Sequence, residues 1–166
     1  MIWQPSHRAH TPARLLADRH YSRQKPGSPQ FMPPGSCRVL VANNRKAVFG
    51  LSNPDPRFVG HEWAGAWICS IFRNENAGPL ASDMIREALA IFQSPYGYGA
   101  PPALGCVTFV DPKKVRGVLV RGERVKGFCF MKAGFRLVGE TKRRGLMAWQ
   151  LLPNDMPAPR LMQVAA

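Results

Sequence analysis

The 166-residue sequence has no long apolar run. Its apolar stretches are far shorter than the roughly 20 residues that a membrane-spanning helix needs. The opening residues, MIWQPSHRAH, lack the apolar segment of a secretory signal. We therefore expect a protein that makes no contact with a membrane and works in the cytoplasm. Its length suits one domain with a hydrophobic core of its own.

Cysteines are few and never closely spaced. No C-x-x-C pair occurs, which argues against a zinc or redox site. The four are Cys37, Cys69, Cys106 and Cys129. All except the last fall in apolar, strand-like runs, so we expect buried, reduced thiols and no bound metal.

Acidic residues are also scarce. The 10 Asp and Glu face 23 Lys and Arg, which gives a formal net charge of +13 and a pI of about 10.5. Such a surplus favours a polyanionic partner, because each phosphate that a cation neutralises releases counterions. Nucleic acid is the expected partner, since no strongly amphipathic basic helix indicates a membrane surface. The alternative is a basic surface with no polyanionic partner.

The order of apolar runs and turn residues predicts an α/β domain. In LASDMIREALAIF the apolar residues fall on one helical face, Pro79 suits the first turn, and Ser94-Pro95 ends the pattern. The expected elements are a helix at 12–20, a hairpin at 37–42 and 47–51, a strand at 65–75, a helix at 80–92, a strand at 103–110, a short helix ending at Gly134, and strands at 135–141 and 145–153. We expect the domain to span residues 1–153, with a lid loop within residues 12–35, an exposed basic loop or arm at 113–126 and a flexible tail at 154–166.

A strand-to-helix turn, FRNENAGPLASDM, is the first place that suits chemistry. The free N–H groups and positive dipole of a helix N-terminus attract phosphate, and Arg73, Gly78, Ala81 and Ser82 fit that use. Because every strand–turn–helix unit offers such a turn, a purely structural role is the alternative.

Asp111, in TFVDP, is the second place. It follows an apolar strand at the carboxyl end of the expected sheet, where ligands of open α/β sheets bind. Alternatively, its carboxylate caps the backbone that follows, as in an Asx turn.

The segment DRHYSRQKPGSPQFMPPG contains the third place, His20 and Tyr21. His20 is expected to titrate near neutral pH and accept a proton, and Tyr21 to donate one or to stack on a base. Alternatively, the two rings are packed together and hold the loop against the domain.

The fourth candidate site consists of basic residues, which cluster beside the three positions above. We expect them to bind phosphates, with a solvated segment as the alternative. The candidates are Arg19, Arg23, Lys25, Lys113, Lys114, Arg116, Arg121, Arg124, Lys126, Lys142, Arg143 and Arg144.

Taken in order over roughly residues 16–152, these pieces resemble the Mom-like branch of the GNAT-fold proteins. That branch has an RHYSR-like motif, a strand ending in S-Y-x-D-P, a short helix Y-x-A-x-x-F and a G-x-T strand. The matching positions are His20-Tyr21-Ser22, Thr108 to Pro112, Phe130 to Phe135 and Gly139 to Thr141.

The resemblance implies a single-domain GNAT-like mixed sheet with helices on both faces, and a phage enzyme that transfers an acyl group from acetyl-CoA or another acyl-CoA to an amine on a normal or hypermodified DNA base. Such modification protects phage DNA from restriction, in the cytoplasm of the host cell. The implied catalytic residues are His20, Tyr21 and Asp111. The implied cofactor-binding residues are Ser70, Ile71, Phe72, Arg73, Asn74, Gly78, Ala81, Ser82 and Phe130.

Two positions depart from the family pattern. NENAGPLAS replaces the glycine-rich signature Q/R-x-x-G-x-G/A that binds pyrophosphate. Phe130 stands where many members have a tyrosine that protonates the leaving thiolate, so either another acid, with Tyr21 as the candidate, or no acid at all would serve. Phe31, Tyr21 and Trp63 are candidates for stacking on a flipped base. Two other functions stay open: N-acetylation of a small-molecule or protein amine, and DNA binding without catalysis.

Overall fold

The computed structural model describes residues 2–162, which form a mixed α/β domain. The strands are β1 (Trp3–Ser6), β2 (Cys37–Ala42), β3 (Ala47–Ser52), β4 (Trp67–Asn74), β5 (Cys106–Val110), β6 (Val118–Val120), β7 (Glu123–Val125), β8 (Arg136–Glu140) and β9 (Met147–Leu151). The helices are α1 (Thr11–Asp18), α2 (Ala81–Phe92) and α3 (Phe128–Lys132). Seven strands form one sheet in the order β1-β2-β3-β4-β5-β9-β8, and β6 and β7 form a separate hairpin. The predicted fold class is confirmed.

Helices cover both faces of the sheet. On one face, Leu16 of α1 packs with Val39 and Val48. On the other, the apolar side of α2, including Leu89, packs with Phe49 and other buried residues of the main core. This arrangement follows from the alternation of side chains along β2 and β3, which gives each strand two apolar faces.

Strand β1 was not predicted, because it has only four residues and contains Pro5. It lies at the sheet edge, where a residue without an N–H is tolerated. Trp3 anchors it: the buried indole Nε1 donates a hydrogen bond to the main-chain oxygen of Met84, 3.0 Å away.

The basic segment 113–126, predicted as an exposed loop or arm, contains the hairpin of β6 and β7. Its tip is formed by Arg121 and Gly122, whose φ angles are 48° and 86°. Two consecutive residues with positive φ suit a type I′ hairpin turn. The segment is therefore an ordered arm rather than an irregular loop.

The tail, which was expected to be flexible, makes hydrogen bonds to α2 and to Gln93 just after it. The N–H of Arg160 donates to the main-chain oxygen of Ala90 (3.0 Å), and Gln93 Nε2 donates to that of Pro157 (2.8 Å). Residues 154–162 are thus fastened to α2, and residues 163–166 lie outside the described part of the chain.

Among the strands of residues 2–162, β4 and β5 are the only parallel neighbours, and they pair along only part of their length. The ladder joins Trp67–Cys69 to residues 106–108 and then stops. On the other side of β4, the register against β3 passes from Cys69 to Ile71, so Ser70 forms a bulge. A bulge bends the strand that carries it. Beyond Cys69, the two central strands therefore separate, and we call this opening the split.

Candidate active site

A cavity of about 460 Å³ opens at the split. Its lining is mostly apolar and comes from β4, β5, the β6–β7 hairpin and α3; we call it the apolar cavity. Of the residues predicted to bind a cofactor, it is lined by Ser70, Ile71, Phe72, Ala81 and Phe130. His20 and Tyr21 line it as well, so the structure brings most of the predicted centre together.

Three further cavities meet at Phe109. The middle cavity, of about 140 Å³, is lined by Tyr21, Ser22, Ser70, Asp111, Lys114 and Arg144, among others. The loop cavity, of about 530 Å³, is lined by Phe31, Met32, Pro33 and Pro34 from the proline-rich loop. The turn cavity, of about 680 Å³, is lined by His61, Trp63 and the turn Lys142 to Arg144.

His20 lies just after α1, with its ring centroid 4.5 Å from that of Tyr21. Its Nδ1 accepts the N–H of Ser22 (3.2 Å) and lies 2.7 Å from Ser22 Oγ, so the ring proton is assigned to Nε2. Burial, reinforced by the charge of Arg73, lowers the pKa of His20 to about 4. The expectation that it titrates near neutral pH is therefore wrong. At pH 7 the ring is neutral and only weakly basic.

Tyr21 lies between the apolar cavity and the middle cavity and lines both. Its Oη accepts the N–H of Asp111 over a long 3.4 Å. Burial raises the pKa of the phenol, so it keeps its proton at neutral pH. A protonated hydroxyl at this position is able to donate to a group in either cavity.

Asp111 has the capping role that was left open as the alternative. Its Oδ1 accepts the N–H of Lys113 at 2.9 Å, and its main-chain oxygen accepts the N–H groups of Lys114 and Val115. The residue lines the middle cavity with Tyr21 but not the apolar cavity. Asp111 therefore shapes the turn after β5 and also presents a carboxylate beside Tyr21.

Beyond the split, the end of β4 is tied to α1 by two arginines and one carboxylate. Glu75 accepts hydrogen bonds from Arg73 Nε (2.6 Å) and from two nitrogens of Arg19 (both 2.8 Å). Arg73 also donates to the main-chain oxygen of Arg19 (2.7 Å). The two guanidinium groups lower the pKa of Glu75 to about 2. Arg19 and Arg73, predicted to bind phosphates, already share a carboxylate.

The rest of the predicted phosphate turn lies outside the apolar cavity. Arg73, Asn74, Gly78 and Ser82 do not line it, whereas Ala81 does. Asn74 Oδ1 instead accepts the N–H of Asn76 (2.9 Å), which shapes the turn. No side chain of the described residues caps the N-terminus of α2.

Two of the predicted DNA-binding cations are partly buried and are bound to structural partners instead. Arg23 is only 10% exposed: its guanidinium binds Asp18 (2.8 Å) and Ser28 (2.6 Å to Oγ), so it holds the proline-rich loop together. Lys126 Nζ donates to the main-chain oxygen of Pro112, which closes the base of the β6–β7 arm. The exposed members are Arg19, Lys25, Lys113, Lys114, Arg116, Arg121, Arg124, Lys142, Arg143 and Arg144.

Sequence reasoning missed two residues that the structure brings to the centre. Ser22, part of the quoted motif but given no role, lines the apolar, middle and loop cavities. Phe109 lines all four cavities. Its position was accessible from strand alternation, because Phe109 points to the face opposite Thr108 and Val110.

Residues 2–162 contain no group of three or more His, Cys, Asp or Glu side chains that could hold a metal ion. The cysteines of the described chain are all free. Burial raises the pKa of Cys129, beside the apolar cavity, to about 11, so this thiol is protonated. Nor does this part of the chain contain a helix long and apolar enough to cross a bilayer.

Comparison with known proteins adds no relative. No family model, curated protein or solved structure matches the chain. The geometry of the split is therefore the basis for a functional interpretation.

Proposed function

We propose that this protein transfers an acyl group from acetyl-CoA or another acyl-CoA to an amine on a normal or hypermodified DNA base. One observation carries the proposal. At the split, an apolar cavity meets cavities that are lined by cations, and Tyr21 and Ser22 line both kinds. A reaction between an apolar donor arm and a polyanionic acceptor needs such a meeting point.

The apolar cavity fits the acyl-bearing arm of the donor. Phe72, Val118 and Phe130 supply apolar walls, and Ala81 brings the uncapped N-terminus of α2 to the same cavity. The N–H groups of that first turn are suited to phosphate. The fit at the diphosphate end is weaker, because Arg73 is bound to Glu75 and the glycine signature is absent. When bound, the thioester supplies an acyl carbon that is activated toward amines.

The chain itself supplies polar groups around that carbon. Along the edge of β4 that faces the split, residues 70–74 have no strand partner, so N–H groups on this edge are available to polarise a carbonyl. Transfer forms a C–N bond, breaks a C–S bond, removes a proton from the amine and gives one to sulfur. We assign proton donation to Tyr21, and proton acceptance to the carboxylate of Asp111, directly or through water.

His20 has a different role from the one expected. Because its pKa is about 4, the ring stays neutral and is too weak a base to be the main proton acceptor. Its stacking on Tyr21 and its bonds to Ser22 orient those two side chains. We therefore treat His20 as a positioning residue.

We propose DNA as the acyl acceptor because of the positive charge of the protein. The net charge of +13 and the exposed cations around the middle and turn cavities suit a polyanion. A base modified in this way would protect phage DNA from restriction, as the family resemblance implies.

The test is to incubate the purified protein with DNA and labelled acetyl-CoA, digest the DNA and separate the nucleosides by mass spectrometry. We expect label on one kind of nucleoside, and much less with Tyr21→Phe. Label on free amines but on no nucleoside would identify a small-molecule acetyltransferase. Strong DNA binding with no transfer at all would identify a non-catalytic DNA-binding protein.

A further inference from the structure

The loop, middle and turn cavities lie in a row. Phe109 and Arg144 line all three. The middle cavity also shares Ser22 and Ser70 with the loop cavity, and Leu146 with the turn cavity. The small cavity, of about 140 Å³, is therefore flanked by two much larger ones, of about 530 and 680 Å³.

Both outer cavities offer uncharged surfaces for stacking. The loop cavity has the half-buried ring of Phe31 beside Pro33 and Pro34. In the turn cavity, the His61 and Phe109 ring centroids are 4.8 Å apart. Burial lowers the pKa of His61, so that ring is neutral at pH 7. Aromatic rings of this kind stack on nucleobases with little regard to sequence.

Arg144 supplies the charge that all three cavities share. It is exposed on the turn between β8 and β9, and no hydrogen bond or ion pair holds its guanidinium to another described residue. The turn cavity also contains two carboxylates, Glu62 and Glu140. Glu62 Oε1 lies 3.8 Å from Lys142 Nζ. Carboxylates in such a cavity can accept hydrogen bonds from the amino groups of bases.

We propose that the acceptor strand is bound unpaired over three nucleotides. The reacting nucleotide enters the middle cavity, beside Tyr21, and its two neighbours stack in the loop and turn cavities while Arg144 binds the phosphates between them. This inference rests on the proposed function and names the form of its substrate. A perfect duplex does not suit the row, because paired bases are stacked on one another and each cavity needs a free base face.

The test measures strand binding without any acyl donor. Fluorescence anisotropy compares a labelled single-stranded DNA, the perfect duplex of the same sequence, and that duplex with three unpaired nucleotides. We expect the single strand and the interrupted duplex to bind about tenfold or more tightly than the perfect duplex. Phe31→Ala and His61→Ala should each weaken single-strand binding about tenfold, and Arg144→Ala should do so while lowering its salt dependence.

Two control variants keep these losses specific. Arg136→Ala removes the same charge at a side chain that is 80% exposed and lines none of the four cavities, and Phe58→Ala removes a ring that is 85% exposed. Both should bind like the wild type. Equal affinity for perfect duplex, or losses in the three variants no greater than in the controls, would overturn the inference. Strand selectivity without labelled nucleosides would instead refute the proposed function and leave the strand-binding surface in place.

Discussion

The two halves of the β4–β5 strand pair differ: the first is joined by a ladder and the second is open. In the first half, residues 67–69 and 106–108 are joined by a ladder, and the buried Thr108 Oγ1 adds a hydrogen bond to the main-chain oxygen of Cys69 (3.2 Å). In the second half the strands separate around cavities. One half thus holds the sheet together, whereas the other leaves cavities open between the strands.

The open half is stabilised from outside the sheet ladder. Glu75 binds Arg19 and Arg73, which fastens the end of β4 to the end of α1. Arg23 fastens the loop that follows α1 through Asp18. Polar contacts thus replace part of the strand pairing that the split removes, and variants of either half should separate stability from function.

The largest expected effect is on the stability of the paired half. Trp67→Ala removes a side chain that is 2% exposed in the main core. It should lower the free energy of unfolding by about 3–5 kcal/mol, measured by urea denaturation. The exposed Phe58→Ala should cost less than about 0.5 kcal/mol. Similar losses for both would show that the paired half is not a main source of stability.

The next effect is on chemistry in the split half. Tyr21→Phe keeps the ring but removes the hydroxyl, so acyl transfer should fall about a hundredfold if that hydroxyl donates a proton. The midpoint of urea unfolding should change little, because the bond to the N–H of Asp111 is long. Loss of stability with normal residual turnover would instead support the packing role for the His20–Tyr21 pair.

A smaller effect should distinguish the two ion pairs that support the open half. Arg23 and Asp18 are 10% and 17% exposed, whereas Arg19 and Glu75 are 49% and 29% exposed. Arg23→Ala should therefore destabilise the protein by about 2 kcal/mol, because it leaves a partly buried carboxylate without its partner. Arg19→Ala should cost much less, because solvent screens the exposed Arg19–Glu75 pair. Calorimetric melting of both variants tests this order, and the reverse order would contradict it.

The smallest effect concerns the pH dependence of stability, which should change in two pH ranges, one for His20 and one for Glu75. The folded-state pKa of His20 is lowered from 6.5 to about 4, so the unfolded chain binds more protons and stability falls as the pH drops through that range. The Glu75 pKa is lowered from 4.5 to about 2, so its contribution is lost as the pH drops below 4.5.

Non-titrating variants should remove one window each. We expect the melting temperature of the wild type to fall in two steps as the pH is lowered from 8 to 3. The step at higher pH should be absent in His20→Asn, which keeps an acceptor for Ser22, and the step at lower pH should be absent in Glu75→Gln. A His20→Asn profile identical to the wild type would show that the lowered pKa does not contribute to stability.

Local patterns were enough to predict most elements of the fold. The hairpin of β2 and β3 was predicted because two β-branched runs flank Asn43 and Asn44, and α2 because its apolar face has a helical period. β1 was missed because its pairing with β2 depends on residues far along the chain. The β6–β7 hairpin has no clear strand pattern in the sequence, because cations interrupt its apolar residues.

Part of the candidate site was predictable from the sequence, but its geometry was not. The quoted motifs identified His20, Tyr21 and Asp111, which do lie close together. The split itself depends on the bulge at Ser70, which appears only once β4 is in register with β3. Likewise, the low pKa of His20 depends on burial and on the charge of Arg73, which lies on β4. Such properties arise from contacts that no short pattern encodes.

The proposed function requires that donor and acceptor bind at different cavities that meet at the split. Steady-state transfer kinetics test it most directly, with Val118→Trp to fill the apolar cavity and Arg144→Ala to weaken the acceptor cavities. Val118→Trp should raise KM for the acyl-CoA alone, and Arg144→Ala should raise KM for the DNA alone. If both variants raised the same KM, or neither changed any, the two-sided site would be contradicted.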